Sequence, residues 1–417
     1  MNPTPPTMNP LAHLSRRKFL SNTLAATAAG SAISALSSRA EDVKPITPER
    51  KIKIGLIGCG GRGNWLMPYF MKHGGYELHA VADYFQPVAD QCGDQFGVDK
   101  ARRFSGLSGY KRLIESGVEA VLIEDVPYFY PEQAKAAVDA GKHVYMAKPV
   151  AVDVPGTLLI GESGKLATQK KLCFLVDYQL PTDTACIEVA NRIRAGGLGP
   201  MGHLASFGMA WQAWPDPPLG PTLESRLRDE IWLADTALGG DTLVSYDIHI
   251  IDGIIFALGK PPVAAIGRAR TFRPDPHGDR TDVAAVIYEC ADGATWTHVT
   301  QALDNNFEVT TLSASFYGMK ATAHLQYGGK VYVRGGDQSY SGQVGSVFNE
   351  GAERNIASFY RNISGGHFAN ENVQRAVDGH LTAILGREAA ARNTRLTMAQ
   401  LLKENTKLEV DLKGMKA

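Results

Sequence analysis

The chain has 417 residues, 44% hydrophobic and 21% charged, with 43 Gly and 22 Pro. This composition is ordinary for a globular protein, and the length suggests two domains with sizeable cores. Lys plus Arg and Asp plus Glu both number 43, so the formal net charge is zero and nothing steers the chain toward nucleic acid or anionic membranes.

Residues 1–40 read as a segment outside the fold. Ser15-Arg16-Arg17-Lys18-Phe19-Leu20 precedes an alanine-rich run over about 24–36, too short and too interrupted by Ser and Gly to span a bilayer. Paired arginines ahead of such a run resemble a twin-arginine export signal, with cleavage expected after Ala40; a basic tail is the plainer alternative. The expectation is a periplasmic protein, exported already folded and free of the membrane after cleavage, with 41–50 as linker. Five cysteines (Cys59, Cys92, Cys173, Cys186, Cys290) are odd in number and unpaired in spacing. They predict neither a disulfide framework nor a zinc site, and no metal is expected.

From Lys51 the chain reads KIKIGLIGCGGRGNWLMPYFMKHGGYELHAVADYF. Ile52, Ile54, Leu56 and Ile57 predict a strand. Gly58, Gly60 and Gly63 follow in G-x-G-x-x-G spacing, with Gly61 and Arg62 inside the turn, and a helix is predicted from about Asn64. A second strand over 76–82 ends in Asp83, 20 residues after Gly63. Strand, glycine turn, helix and acid form a dinucleotide-binding fingerprint in its required context. Asp83 is the expected partner of the adenosine ribose hydroxyls, and Tyr84 rather than arginine follows it, which favours NAD over NADP. Further βα alternation predicts a strand over 118–123, a helix over 131–140 and a strand over 143–146 that ends at Lys148-Pro149. Ligands of open parallel sheets bind at the carboxyl ends of strands, so Lys148 stands where a nicotinamide should lie.

Taken together, IGLIGCGGRG, AGKHVYMAKPV and GGDTLVSYDIHIIDGIIFALG resemble the glucose–fructose oxidoreductase / inositol dehydrogenase / rhizopine-catabolism family, from Lys51 onward. The resemblance implies an N-terminal Rossmann domain (51–175) and a domain with a large, open, mainly antiparallel sheet (176–348), often an oligomer interface. Helices over 349–417 are then expected to pack back on the core. It further implies that Lys148, in place of the family's E-K-P lysine, contacts substrate hydroxyl and nicotinamide ribose. His249, in place of the D-x-x-x-H histidine, contacts or deprotonates substrate. Gln179 follows a predicted strand over 172–178 and matches a position that can hold the nicotinamide amide. Two departures stand out. Ala147 replaces the glutamate of E-K-P, and Ser245 stands where the dehydrogenases carry an aspartate; the carboxylate role passes to Asp247, or proton transfer rests on His249 and Tyr246. Asp252 is expected to be structural.

Alternating text over 203–209, 263–271, 282–289, 295–299, 309–315, 320–326 and 330–334 predicts the antiparallel sheet. A Trp- and Pro-rich loop lies between the first two of these strands. Trp211, Trp214 and Arg228, with Tyr178, are candidate contacts to a sugar, although the tryptophans equally fit a role in anchoring the loop. His367, Asn370 and Asn372 fit a capping or loop role better than a place in the cleft.

The expected reaction is hydride transfer from a carbohydrate or cyclitol carbon, for which the hydroxyl proton must go to a base. Burial and nearby positive charge lower a lysine from about 10.4. With alanine at 147 no adjacent carboxylate opposes that fall. Lys148 is expected to hold the hydroxyl and His249 to be the principal base, with cofactor anchoring and a core histidine as the alternatives. An exported enzyme meets no pool of free NAD, so the cofactor is expected to stay bound and be recycled, in a homo-oligomer (dimer or tetramer). The rivals are a nicotinamide-dependent glycoside-cleaving enzyme and a non-catalytic ligand-binding protein.

Overall fold

A strand apolar on both faces needs cover on both faces, and Ile52, Ile54, Leu56 and Ile57 are all buried in β1 (Ile52–Ile57). The computed structural model describes residues 50–210, 216–217, 222–303 and 311–417. Around β1 run β2 (Tyr76–Asp83), β3 (Arg103–Ser105), β4 (Ala120–Ile123), β5 (His143–Met146) and β6 (Phe174–Val176). Their order is β3-β2-β1-β4-β5-β6, and every neighbouring pair is parallel. The helices between them are α1 (Gly61–His73), α2 (Gln86–Phe96), α3 (Gly109–Glu115), α4 (Tyr130–Asp139) and α5 (Val154–Gln169). Strand order reverses between β1 and β4, and this reversal opens a crevice at the carboxyl ends of the strands.

The second layer follows α6 (Thr184–Arg194). It consists of β7 (Met201–Ala210), β8 (Ala264–Arg270), β9 (Val283–Glu289), β10 (Thr295–Ala302), β11 (Thr311–Gly318), β12 (Thr322–Gln326), β13 (Gly329–Arg334), β14 (Tyr340–Val344) and β15 (Leu396–Thr397). The order is β14-β13-β12-β11-β7-β10-β9-β8-β15, antiparallel except for the parallel pair β7–β10. Alternation puts Ala284, Val286 and Tyr288 of β9 inside, whereas Phe207, Ile266, Ile287 and Tyr317 stand exposed on the opposite, open face.

Short turns α7 (Leu223–Arg226), α8 (Thr236–Gly239) and α9 (Asp241–Ser245) lead into α10 (Ile248–Leu258). The chain closes with α11 (Val347–Gly365), α12 (Glu371–Arg392) and α13 (Met398–Glu404). α11 packs on α1, and its Ile356 carbonyl accepts the Tyr76 hydroxyl at 2.7 Å. α12 packs against β8, α10 and α5, so one helix touches both layers.

The predicted strands meet the observed ones to within two residues, or three at the far ends of β10 and β11, and α1 begins three residues before the predicted Asn64. β3, β14 and β15 were not anticipated, because they are short or polar and carry no alternation. Asn370, just before α12, accepts from Phe174 N and donates to Leu172 O, and Asn372, in the first turn of α12, donates to Val176 O. They satisfy the backbone of β6 at the edge of its sheet.

Candidate active site

The glycine turn shows why each position is glycine. Gly58 has φ +91°, and a Cβ there would strike the Glu124 backbone. A Cβ at Gly63 would fall on the Gly58 carbonyl, so α1 packs directly on the end of β1. At Gly60 and Gly61 a Cβ would meet nothing within 4 Å. Open space therefore lies in front of an α1 N-terminus that has neither an acid in its first turn nor a side-chain cap. These unpaired amides and the helix dipole suit an anion, and the turn fits a dinucleotide pyrophosphate.

Asp83 ends β2, with its carboxylate held by Cys59 N (3.0 Å) and Phe85 N (2.9 Å). Burial, and then Asp125 nearby, push it up to about 6. It borders a cavity of about 400 Å³ lined also by Tyr84, Leu107, Tyr110, Asp125 and Gln133. Position and lining fit an adenosine. The Arg228 guanidinium stacks 3.7 Å from the Phe85 ring centre and acts electrostatically on Asp83. Arg228 is thus at this nucleotide end and not, as expected, at a sugar. Trp211 and Trp214 lie outside the described residues.

Charged groups converge at the ends of β4, β5 and β6. Arg62, from the first turn of α1, reaches Asp177 Oδ2 at 2.5 Å and comes within 3.6 Å of Glu124. Asp177 is the better-satisfied acid, since Gln179 Nε2 (3.0 Å) and Asn355 Nδ2 (2.8 Å) also donate to it. Neither Glu124 oxygen has a hydrogen-bond partner among the described residues, and burial lifts this carboxyl to about 8. Lys148 Nζ donates to the Ser245 carbonyl at 2.7 Å. Burial first, then the Arg62 charge, bring its amine down to about 7 against the pull of Asp177, Glu230 and Asp247. The expectation that no carboxylate opposes this fall is corrected. Ala147 removes the neighbour in sequence, but acids from β6, from the turn before the 231–234 helical turn and from the head of α10 stand around the amine in space.

His249, on the first turn of α10, is buried with Nδ1 3.1 Å from the Tyr327 hydroxyl and its ring edge-on to Phe348. Burial, then Lys148 and Arg62, hold its pKa well below the usual histidine value. Asp247 is fully buried, with Oδ2 3.0 Å from His298 Nε2. Trp296 donates to Ser206 Oγ, so the serine proton goes to His298 Nδ1 (2.8 Å) and the imidazole donates through Nε2. Asp247 is therefore anchored in the sheet by a relay of three residues.

Two expectations change. The Tyr246 hydroxyl is turned to the Met209 carbonyl (3.5 Å), and burial raises its pKa, so it is a poor proton acceptor. Tyr178 is a core residue: its hydroxyl meets His380 Nδ1 at 3.2 Å, while His380 Nε2 accepts Val150 N at 2.9 Å. It steadies the turn after Lys148 and does not face a substrate. Gln179, 1% exposed, spends its amide nitrogen on Asp177 and keeps Oε1 without a partner among the described residues. Asp252 is structural as expected, paired with Arg375 at 2.8 Å. Glu124 and Asp177 were missed, although both stand directly after an apolar strand, in VLIED and FLVDY, where the strand-end rule points.

Residues 52–178 match the model of the Gfo/Idh/MocA oxidoreductase family, NAD-binding Rossmann fold. An uncharacterized oxidoreductase of Synechocystis sp. is 26% identical over 233 residues, 55% of this chain and 58% of that protein. Glycosyl hydrolase family 109 protein 2 of Shewanella sp. strain ANA-3 is 28% identical over 206 residues, 45% of this chain and 44% of that protein. The chain thus spans about half the length of these relatives. Aldose–aldose oxidoreductase from Caulobacter crescentus superposes with a TM-score of 0.66 at 19% identity, covering 84% of this chain and all of that one, and shares its two-layer fold.

Two tests address this site. Gly63→Ala should destabilise the nucleotide-free protein by roughly 1–3 kcal/mol through overpacking. Gly60→Ala should leave stability within about 0.5 kcal/mol yet weaken nucleotide binding; denaturant melts and titration calorimetry separate the two effects. Glu124 has a folded pKa near 8 against an ordinary 4.5, so the folded state alone keeps its proton between those values. Its contribution is fully present below 4.5 and falls away as pH rises through 8. The Tm of nucleotide-free Glu124→Gln relative to the unmodified protein should therefore climb from pH 5 to pH 8 and then level off in scanning calorimetry.

Proposed function

We propose that this chain is an NAD-dependent oxidoreductase acting on a sugar, sugar derivative or cyclitol, with Lys148 as the group that takes the substrate hydroxyl proton. The observation that carries this reading is the Lys148 amine, near pKa 7 at the end of β5, beside a glycine turn and an acid suited to a dinucleotide. The turn at 58–63 and the α1 N-terminus would hold the pyrophosphate, Asp83 the ribose hydroxyls, and Gln179 Oε1 the carboxamide. When bound, the nicotinamide supplies hydride acceptance and return.

The chain's own residues manage the proton. A base is most effective with a pKa near ambient pH. Lys148 meets that condition and His249 does not, so the roles expected from the sequence are exchanged. Neutral Lys148 accepts the proton, and the protonated amine keeps the Ser245 carbonyl as partner. His249, held uncharged by its surroundings and oriented by Tyr327, offers a hydrogen bond to a neighbouring hydroxyl.

The carbohydrate class is supported by the names of the relatives, and the aldose–aldose name describes a reaction that returns its electrons to a second sugar. Such a redox-neutral cycle suits a protein exported through the twin-arginine route with its cofactor retained, which we propose on the Arg16-Arg17 segment. The exposed apolar side chains Phe207, Ile266, Ile287 and Tyr317 on the open sheet face support assembly into a homo-oligomer through that face. A second reading, glycoside cleavage by oxidation, elimination and reduction, is favoured by the four glycosyl hydrolase family 109 relatives. There the same amine would remove an acidified C–H proton beside a transient ketone.

Native mass spectrometry of the purified protein should show one dinucleotide per subunit. With a panel of aldoses, cyclitols and aryl glycosides, kcat/KM on the active compound should rise about tenfold per pH unit below 7 and flatten above it, as Lys148 sheds its proton. Lys148→Met should cut turnover by at least about a thousandfold with the dinucleotide still bound. Release of aryl alcohol without net NADH formation selects the second reading, and normal turnover of Lys148→Met refutes both.

A further inference from the structure

We propose that residues 405–416 form a wall of the nucleotide site, a strap that closes the adenosine end and slows release of the dinucleotide. The inference rests on the nucleotide-binding reading above and goes beyond it, because nothing in the glycine turn or in Asp83 requires this segment.

After α13 the chain forms no further helix or strand, yet it returns to the first domain and follows the mouth of the 400 Å³ cavity beside Asp83. Leu408, Val410 and Leu412 are half-buried, while Lys407, Glu409, Asp411 and Lys413 between and beside them are exposed. That alternation is the pattern of an extended segment with one face against a surface. Lys407 and Leu412 line the cavity directly, opposite Tyr84, Leu107 and Tyr128.

The strap is fastened at two ends. At the near end Leu408 N donates to Asp153 Oδ2 at 2.9 Å, while Asp153 Oδ1 caps α5 through Gly156 N. At the far end Lys416 N donates to the Tyr84 hydroxyl (3.0 Å), Lys416 O accepts Leu107 N (2.9 Å), and Lys416 Nζ reaches Ser105 Oγ (2.8 Å). Tyr84 follows Asp83, the residue that borders the ribose position, so the far fastening sits beside the adenosine end itself. Gly106, at φ +83°, leaves room for the strap, since a Cβ there would strike the Ala417 carbonyl.

A segment held by a few hydrogen bonds and four half-buried apolar side chains, Met415 being the fourth, opens far more readily than the sheet beneath it. A ligand enclosed under it leaves only when it opens, and by linkage the ligand must in turn hold the strap closed. This is a physical route to retention in a compartment where lost cofactor is not replaced.

The test uses the full mature chain, a version ending at Glu404, and Leu412→Asp in the full-length chain. NADH is bound, its release is followed by loss of fluorescence on mixing with excess NAD⁺, and hydrogen exchange at the Leu408 and Leu107 amides is measured with and without NAD⁺. The proposal expects release to quicken about tenfold or more in both altered proteins. It also expects NAD⁺ to slow exchange at both amides. Release within about twofold of the full chain, in Leu412→Asp that melts normally, overturns the strap while leaving the nucleotide reading intact. Failure of the full chain to bind NADH overturns both.

Discussion

An amine out of water at the seam between two layers needs partners from both, and the site is organised by how Lys148 obtains them. The first domain presents the lysine at the end of β5; the carbonyl it bonds belongs to Ser245, at the end of α9. The distance between those two backbones is held from outside by α12. His380 takes the Val150 amide, and the Arg387 guanidinium bridges the Val152 and Gly240 carbonyls at 2.8 and 3.1 Å. One helix thus pins the chain just after the lysine to the chain just before the serine. Loss of that clamp would let water reach the amine and return it toward its ordinary basicity.

The acids of the crevice obey the same low-dielectric rule. Burial and then Asp125 raise Asp83, and Glu124 is raised by burial while Asp177 takes the closer contact with the Arg62 guanidinium. Buried carboxyls whose desolvation outweighs the nearby positive charge hold protons in preference to ionising. The net charge of the crevice is therefore set by a few groups that change state between about pH 6 and pH 8, Lys148 included.

The first domain was legible because its signals are local. Apolar strands, a glycine triplet and an acid at fixed spacing lie within 34 consecutive residues of β1–β2, from 50 to 83. In that layer only β3, three residues long (RFS), escaped; the second sheet was legible by alternation except at β14 and β15, where a polar strand (YSGQV) and a two-residue bridge carry no period. The chemistry of the site was legible only in part. Lys148 and His249 are named by motif, but their protonation depends on Arg62, Asp177 and Glu230, which arrive from distant positions and whose convergence on one amine no spacing announces. Tyr178 and Arg228 were misplaced for the opposite reason: a polar residue near a cleft in sequence can face the core or the far end of the groove, and only packing decides.

Ala147 and Ser245, the two departures from the resembled motifs, bear on the same amine. A carboxylate beside a lysine stabilises the ammonium and holds the pKa high; removing it lets burial and a guanidinium bring the amine to neutrality. Asp247 is held at the sheet, because His298 and Gly208 fix it there: a Cβ on Gly208 would occupy the space of its Oδ1. Asp177, Glu230 and Asp247 pull on the lysine without a direct hydrogen bond, and burial with the Arg62 charge outweighs them, leaving the amine near neutrality. His249, exposed to the field of two cations and shut away from water, is left as a neutral hydrogen-bonding group.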